Sequence, residues 1–78
     1  MRTIRYVRKT CPSCNKIHNI RIVERDETVS LHGVEITFPA RYEYCKEYDE
    51  LTETEELMDR NYKAMREEYR RRTEKNER

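Results

Sequence analysis

The chain has 78 residues, 42% of them charged and only 35% hydrophobic, with a single glycine; an ordinary soluble domain is about 25% charged. This length holds one domain at most, and a core this small supplies only about 3–5 kcal/mol unaided, so such folds usually need a metal, disulfides or a partner. The net charge of +1 lacks the uniform basic bias of a nucleic-acid binder, no apolar run approaches the roughly 20 residues of a membrane span, and the lack of a signal-peptide pattern reads as a cytoplasmic protein.

The charge is segregated. Residues 1–25 carry seven basic groups and one acid, residues 26–59 two and eleven, and residues 60–78 eight and four. Such a chain either compensates its own charge or offers two-signed surfaces to a partner.

In chain order, Thr3 to Lys9 is β-prone, with Ile4, Tyr6 and Val7 set among arginines. Thr10 to Lys16 is a turn cluster containing Pro12, Ser13 and Asn15. From His18 to Asp26, Ile20, Ile22 and Glu24 alternate with Asn19, Arg21 and Val23, the period of a strand. Thr28 to Leu31 is a further short β-prone piece, and His32-Gly33 predicts a hairpin turn. Val34, Ile36 and Phe38 alternate clearly, Pro39 predicts a bend or an edge position, and Ala40, Tyr42 and Tyr44 carry the strand on to Cys45.

Lys46 to Thr54 is acidic and aperiodic, and Thr52-x-x-Glu55 matches a capping box. Beyond it, residues 53 to about 75 contain neither Pro nor Gly. Leu51, Met58, Tyr62, Met65 and Tyr69 form a narrow seam at coiled-coil spacing, and Glu56–Arg60, Glu67–Arg71 and Glu68–Arg72 predict i,i+4 pairs. A 20-residue helix is about 30 Å long, more than the width of so small a sheet. The helix is therefore expected to pack its first half and project its second. The expected fold is α+β: a small zinc-ribbon-like antiparallel sheet in residues 1–50 and one long helix in residues 51–78, forming a single domain.

Cys11 and Cys14 present two thiolates from one tight turn, and Cys45 at a strand end is placed as a third ligand. Zinc takes four ligands in a tetrahedron, commonly from two such elements. A second C-x-x-C would end at position 48, which is Tyr48, so the fourth ligand must come from elsewhere. His18 is favoured, giving a structural Zn2+ site of Cys11, Cys14, His18 and Cys45; Asp49, Glu47 and His32 are the alternatives. No βαβ unit supports a redox reading of the C-x-x-C, an odd cysteine count opposes a pure disulfide framework, and no catalytic constellation is visible, so the protein reads as non-enzymatic.

The run from Cys11 to His18 (C-P-S-C-N-K-I-H), then I-R-I-V-E-R, H-G-V-E-I-T-F, Y-E-Y-C and L-M-D-R-N-Y-K-A-M-R-E-E-Y-R-R, resembles the N-terminal zinc-finger module of MqsA-type (YgiT-type) antitoxins. The resemblance covers roughly residues 9–72. It implies a zinc-binding module that contacts a toxin, with the four-cysteine ligation of some members interrupted here at Tyr48. A helix-turn-helix domain that binds operator DNA usually follows in that family. This sequence stops at Arg78, so the expectation is a stand-alone partner-binding half.

The function expected is thus a protein-interaction module that occludes another protein. The alternatives are a phage or mobile-element inhibitor of a host nuclease, resembling an anti-CRISPR protein, or a nucleic-acid-binding zinc ribbon using the cluster Arg2, Arg5, Arg8 and Lys9 with the basic helix end. Candidate partner-binding residues are Tyr69, Arg66 and Arg70 on the helix and Glu47, Asp49 and Glu50 in the acidic stretch. Met58, Tyr62, Met65 and Tyr69 are the candidate seam of a homodimer. The bland alternative for Tyr42, Tyr44 and Tyr62 is core packing between sheet and helix.

Overall fold

A computed structural model describes residues 1–76. The elements are β1 (Arg2–Thr10), β2 (Ile17–Leu31), β3 (Val34–Cys45), β4 (Glu50–Thr52) and α1 (Glu55–Asn76). The strands form one antiparallel sheet in the order β1-β2-β3-β4. An antiparallel sheet followed by a single C-terminal helix is the α+β architecture the sequence predicts.

The β2–β3 hairpin organises the molecule. His32 and Gly33 have φ values of 52° and 76°, the two positive values that a type I′ turn requires. The turn pairs Leu31 with Val34, and the register then runs unbroken to Arg21 opposite Tyr44. Thr28 to Leu31, expected as a separate piece, are therefore continuous with β2. The paired ladder carries them past Asp26 and Glu27, where side-chain alternation is weak.

Pairing sorts the side chains onto two faces. Val23, Ile36, Phe38 and Ala40 are buried on one of them. On the other, Ile20 and Ile22 are buried near the turn that precedes β2, while Thr28 and Thr37 face solvent and share a 2.8 Å hydrogen bond. Buried charge on this second face is paired. Glu24 accepts from Arg2, and from Arg41 at 2.9 Å, with Arg60 of the helix at 3.8 Å. Glu43 accepts from Lys9 at 2.7 Å.

The helix does not project. Its 22 residues span about 33 Å and run back along β3 to the hairpin tip, where Tyr69 packs against His32 with ring centroids 5.8 Å apart. The sheet is narrow, but the 15-residue β2 is about 50 Å long, and the helix follows this length instead of crossing the strands. The molecule is correspondingly elongated, with extents of 52 × 18 × 18 Å.

The helix also starts and faces differently from expectation. Thr54, not Thr52, caps it: Thr54 Oγ1 accepts from the Leu57 N–H at 3.2 Å, while Thr52 belongs to β4. Among the described residues Leu57 and Asn61 are the buried helical ones, whereas Met58 and Tyr62 of the expected seam are 51% and 55% exposed. The expected i,i+4 pairs give way to tertiary contacts. Within the helix Arg71 pairs instead with Glu68 at i,i+3, 2.7 Å away. The tertiary contacts run from Arg60 Nη1, which donates to the Pro39 carbonyl at 3.2 Å, and from Arg72 Nη2, which donates to the Glu35 carbonyl at 2.9 Å.

These contacts have a common cause. In this register Glu35, Pro39 and Arg41 aim their backbone polar groups away from β2, and β4 covers β3 only from Glu43 to Cys45. The open stretch of β3 is a free edge, which a soluble protein must cover or blunt. Pro39, lacking an N–H, blunts it, and helix side chains cover the rest. Asn61 is central: its Oδ1 accepts from the Arg41 N–H at 2.8 Å, and its Nδ2 donates to the Arg41 carbonyl at 2.9 Å and to Glu53 Oε2 at 2.7 Å. Among the described residues no helix is long and apolar enough to cross a membrane.

Candidate metal centre

The C-P-S-C segment folds as a knuckle between β1 and β2. The Cys11 N–H donates to the Lys16 carbonyl at 2.8 Å, and the Asn15 N–H donates to the Cys11 carbonyl at 2.8 Å. Asn15 takes a φ of 64°, a left-handed conformation that Asn tolerates better than most residues. Ser13 ties the knuckle to β4, donating to Glu50 Oε1 at 2.8 Å with Thr52 Oγ1 at 3.3 Å.

Cys45 reaches the knuckle because β3 runs antiparallel to β2 and ends where β2 begins. Cys11 and Cys45 pack with Ile20 in a buried cluster, with Cys14 half-buried against it. The thiols are free. His18 sits at the start of β2 with Nε2 3.3 Å from the Cys14 Sγ and Nδ1 3.2 Å from the Asn19 carbonyl. The carbonyl fixes the tautomer: Nδ1 carries the proton and Nε2 presents a lone pair to the thiols. This outer hydrogen bond is the arrangement metal-bound histidines almost always make.

The ligand atoms of Cys11, Cys14, His18 and Cys45 all lie within 4.8 Å of one another, close enough to hold a metal ion. In a tetrahedral site with bonds near 2.3 Å, two sulfurs stand about 3.8 Å apart, so closing the cluster on an ion takes a contraction of about 1 Å. Burial raises the Cys11 thiol, but hydrogen bonds led by the Cys14 and Ser13 N–H groups outweigh it, and the net effect lowers it from 9.0 to about 6. Cys14 is raised by burial first and then by the neighbouring thiols of Cys11 and Cys45, against one hydrogen bond from the Lys16 N–H. One thiol is thus ready as a thiolate near neutral pH, and a cation that binds there displaces the remaining protons.

The other residues considered for the fourth position are engaged elsewhere. Asp49 Oδ1 accepts from the Tyr44 hydroxyl at 2.7 Å, Glu47 pairs with Lys16 at 3.4 Å, and His32 is at the distant hairpin tip.

The candidate partner-binding residues fall into two groups. Arg66, Arg70 and Tyr69 line one hollow of about 380 Å3 beside Leu31 and His32, and Arg66 stacks over the Tyr62 ring at 5.7 Å. Glu47, Asp49 and Glu50 lie in and after the β3–β4 turn at the metal end, so the two groups do not form one surface. Met58, Tyr62 and Met65 do share a second hollow, with Phe38. Tyr42 and Tyr44, which the core-packing alternative paired with the helix, are half-buried under arginines: Arg25 lies 5.3 Å from the Tyr42 ring and Arg21 lies 5.2 Å from the Tyr44 ring.

The N-terminal basic cluster is divided by strand alternation. Arg2 and Lys9 are tied to Glu24 and Glu43, while Arg8 is on the opposite face from Lys9. The sequence reading passed over Asn61 and Leu57, because a buried Asn breaks the apolar stripe that marks a packing face. It also passed over the row Tyr6–Arg21–Tyr44, although the register set by His32-Gly33 would have aligned Arg21 with Tyr44.

Fold and site together describe a small α+β protein with a Cys3His cluster in position to hold a metal ion. Comparison of the chain with protein-family models, curated proteins and solved structures finds no match.

Proposed function

We propose that this is a non-enzymatic, zinc-stapled interaction module, in which Zn2+ bound by Cys11, Cys14, His18 and Cys45 holds β1, β2 and β3 together. The observation that carries this reading is the convergence of the four ligand atoms within 4.8 Å. Three sulfurs and an imidazole suit zinc over the harder oxygen-seeking ions. Four protein ligands leave no open position for an activated water, so the ion's role is structural.

The module acts by binding and covering another protein in the cytoplasm, as its resemblance to the toxin-binding half of MqsA-type antitoxins implies. Exposed Met58 and Tyr62, on the helix flank beside Phe38 of the sheet, support a protein-binding surface, since aromatic residues and Met are enriched in interface cores.

The test is metal analysis of the purified chain together with capture from its native host. About one zinc per chain is expected, lost in Cys11→Ser and in Cys45→Ser. A fully folded chain without metal would reject the staple. Capture of the same protein by wild type but not by a Met58→Ala, Tyr62→Ala double variant that retains zinc would support the binding role; equal capture by both would reject this surface.

A further inference from the structure

The sheet has a second exposed feature, at the end that the helix does not reach. Pairing sets Tyr6 of β1, Arg21 of β2 and Tyr44 of β3 side by side on one face. Tyr6 is 62% exposed. The Arg21 guanidinium lies 5.2 Å from the centre of the Tyr44 ring and is fixed by two hydrogen bonds to Thr3 Oγ1, at 2.8 and 3.2 Å. A hollow of about 450 Å3 opens here, lined by Tyr6, His18, Asn19, Arg21, Tyr44 and Lys46. None of these six residues is acidic; the nearest carboxylates stand behind the rim, Asp49 accepting from the Tyr44 hydroxyl at 2.7 Å and Glu47 lining the adjoining hollow with His18 and Lys46.

The two sheet faces treat their cations differently. Opposite the hollow, Arg2 and Lys9 are neutralised by Glu24 and Glu43. On the face of the hollow, Arg8 stands beside Asn19, one row from Tyr6. Among the described residues neither Arg8 nor Lys46 has an ion pair. Arg21 is held by a hydroxyl and an aromatic ring, so its charge is oriented and not cancelled.

Two aromatic rings flanking a fixed guanidinium, with uncompensated cations at the rim, form a stacking platform on a charged groove. Strands lie about 4.8 Å apart, so Tyr6 and Tyr44 sit roughly 9–10 Å from each other with Arg21 between them. Bases stack on aromatic rings and on guanidinium planes, and backbone phosphates follow the positive rim. A protein partner complementary in charge would have to be acidic and would gain little from the open Tyr6 ring. A duplex hides its base faces and cannot use them.

We propose that this sheet face, built on Tyr6, Arg21 and Tyr44, binds single-stranded nucleic acid, with bases stacked on the Tyr6 ring and on the Arg21 guanidinium that Tyr44 backs, and phosphates held by Arg8 and Lys46. The site is separate from the helix surface assigned to a protein partner, and neither reading depends on the other. The basic groups proposed here differ from the clusters the sequence singled out, of which only Arg8 contributes.

The test is fluorescence anisotropy of the full chain as purified with labelled single strands of about ten nucleotides, oligo-dT and oligo-rU, at about 50 mM salt and upward. Both strands should bind, or one of them, which then identifies DNA or RNA as the ligand. Two phosphate contacts predict a log–log salt slope of about −1.4. Tyr6→Ala should weaken binding about tenfold with the slope unchanged, and Arg8→Ala should reduce the slope by about 0.7. Tyr6 and Arg8 are both exposed, and each variant is checked for wild-type metal content and melting temperature. Absence of binding to both strands, equally tight binding of a duplex, insensitivity to Tyr6→Ala, or retention of poly-glutamate in place of oligonucleotides would each overturn the proposal.

Discussion

Asn61 brackets the peptide of Arg41, accepting from its N–H at 2.8 Å and donating to its carbonyl at 2.9 Å. One amide side chain on the helix thus reproduces the two hydrogen bonds that a neighbouring strand would make. It closes the edge of β3 at the point where β4 no longer covers it, and it sets the position of the helix along the hairpin. Asn61→Ala removes both bonds and the one to Glu53, and leaves the backbone groups of Arg41 unpaired in a half-buried position. The expected cost is about 2 kcal/mol, seen as a lower urea midpoint with an unchanged m-value.

The fourth ligand can be assigned by substitution. His18→Ala should weaken zinc retention against a chromophoric chelator by more than the roughly 10–100-fold that loss of an outer partner costs. Asp49→Ala removes the acceptor of the Tyr44 hydroxyl and places Ala at a φ of 49°; neither change touches the four ligand atoms, so retention should stay unchanged. The reverse result would transfer the fourth position to Asp49.

Glu24 links β1, β3 and the helix through charge. Hydrogen bonds from Arg2 and then from Arg41 hold its carboxyl below the ordinary value of 4.5, more strongly than burial raises it. The folded value lies below the unfolded one, so the stabilisation is complete above about 4.5 and is lost as pH falls through the depressed folded value. Melting temperature should therefore drop on acidification below pH 4.5, and the drop should be shallower in Glu24→Gln. Curves of the same steepness would show that other carboxylates control acid stability.

Glu43 is buried, with Lys9 at 2.7 Å on Oε2 and, among the described residues, no partner on Oε1. Lys9→Met strands this carboxylate. The expected loss is about 3 kcal/mol, the low end for breaking a buried pair, because the Lys9 side chain is 37% exposed. The double variant Lys9→Met, Glu43→Leu should recover most of the loss, since an apolar pair often replaces a buried ion pair without penalty. Equilibrium unfolding of the two variants checks both statements.

Gly33 tests the hairpin turn with no change in packing. A Cβ placed there meets nothing within 4 Å, yet φ is +76°. Gly33→Ala should therefore cost about 1 kcal/mol through backbone strain alone. A larger loss in melting temperature would mean that the turn does more than reverse the chain.

Local features were legible in the residues alone. The hairpin at His32-Gly33, the alternation of Val34, Ile36 and Phe38, the edge role of Pro39 and the grouping of Cys11, Cys14 and His18 all follow from short spacings, whereas Cys45 joins them through the pairing of β3 with β2. Each depends on turn chemistry or on a period that a few neighbouring residues define. The helix was legible as an element but not in its orientation. Leu57, Asn61 and Ala64 make one stripe and Met58, Tyr62 and Met65 the next, about 100° around the axis, and the apolar stripe looked like the packing face. The choice was made by hydrogen bonding: only Asn61 matches the open edge at Arg41, and no residue near it in sequence carries that information.

The large charge content with which the sequence begins divides along the same line. Composition and spacing established a small, charge-rich, sheet-then-helix chain with three cysteines and a nearby histidine. Which charges are used inside the fold, Glu24, Glu43, Arg60 and Arg72 among them, and which face outward, as Arg8 does beside Tyr6, came from pairing between strands far apart in the chain. A one-residue slip in register would exchange the two faces, so the division between structural and available charge is a property of the assembled sheet.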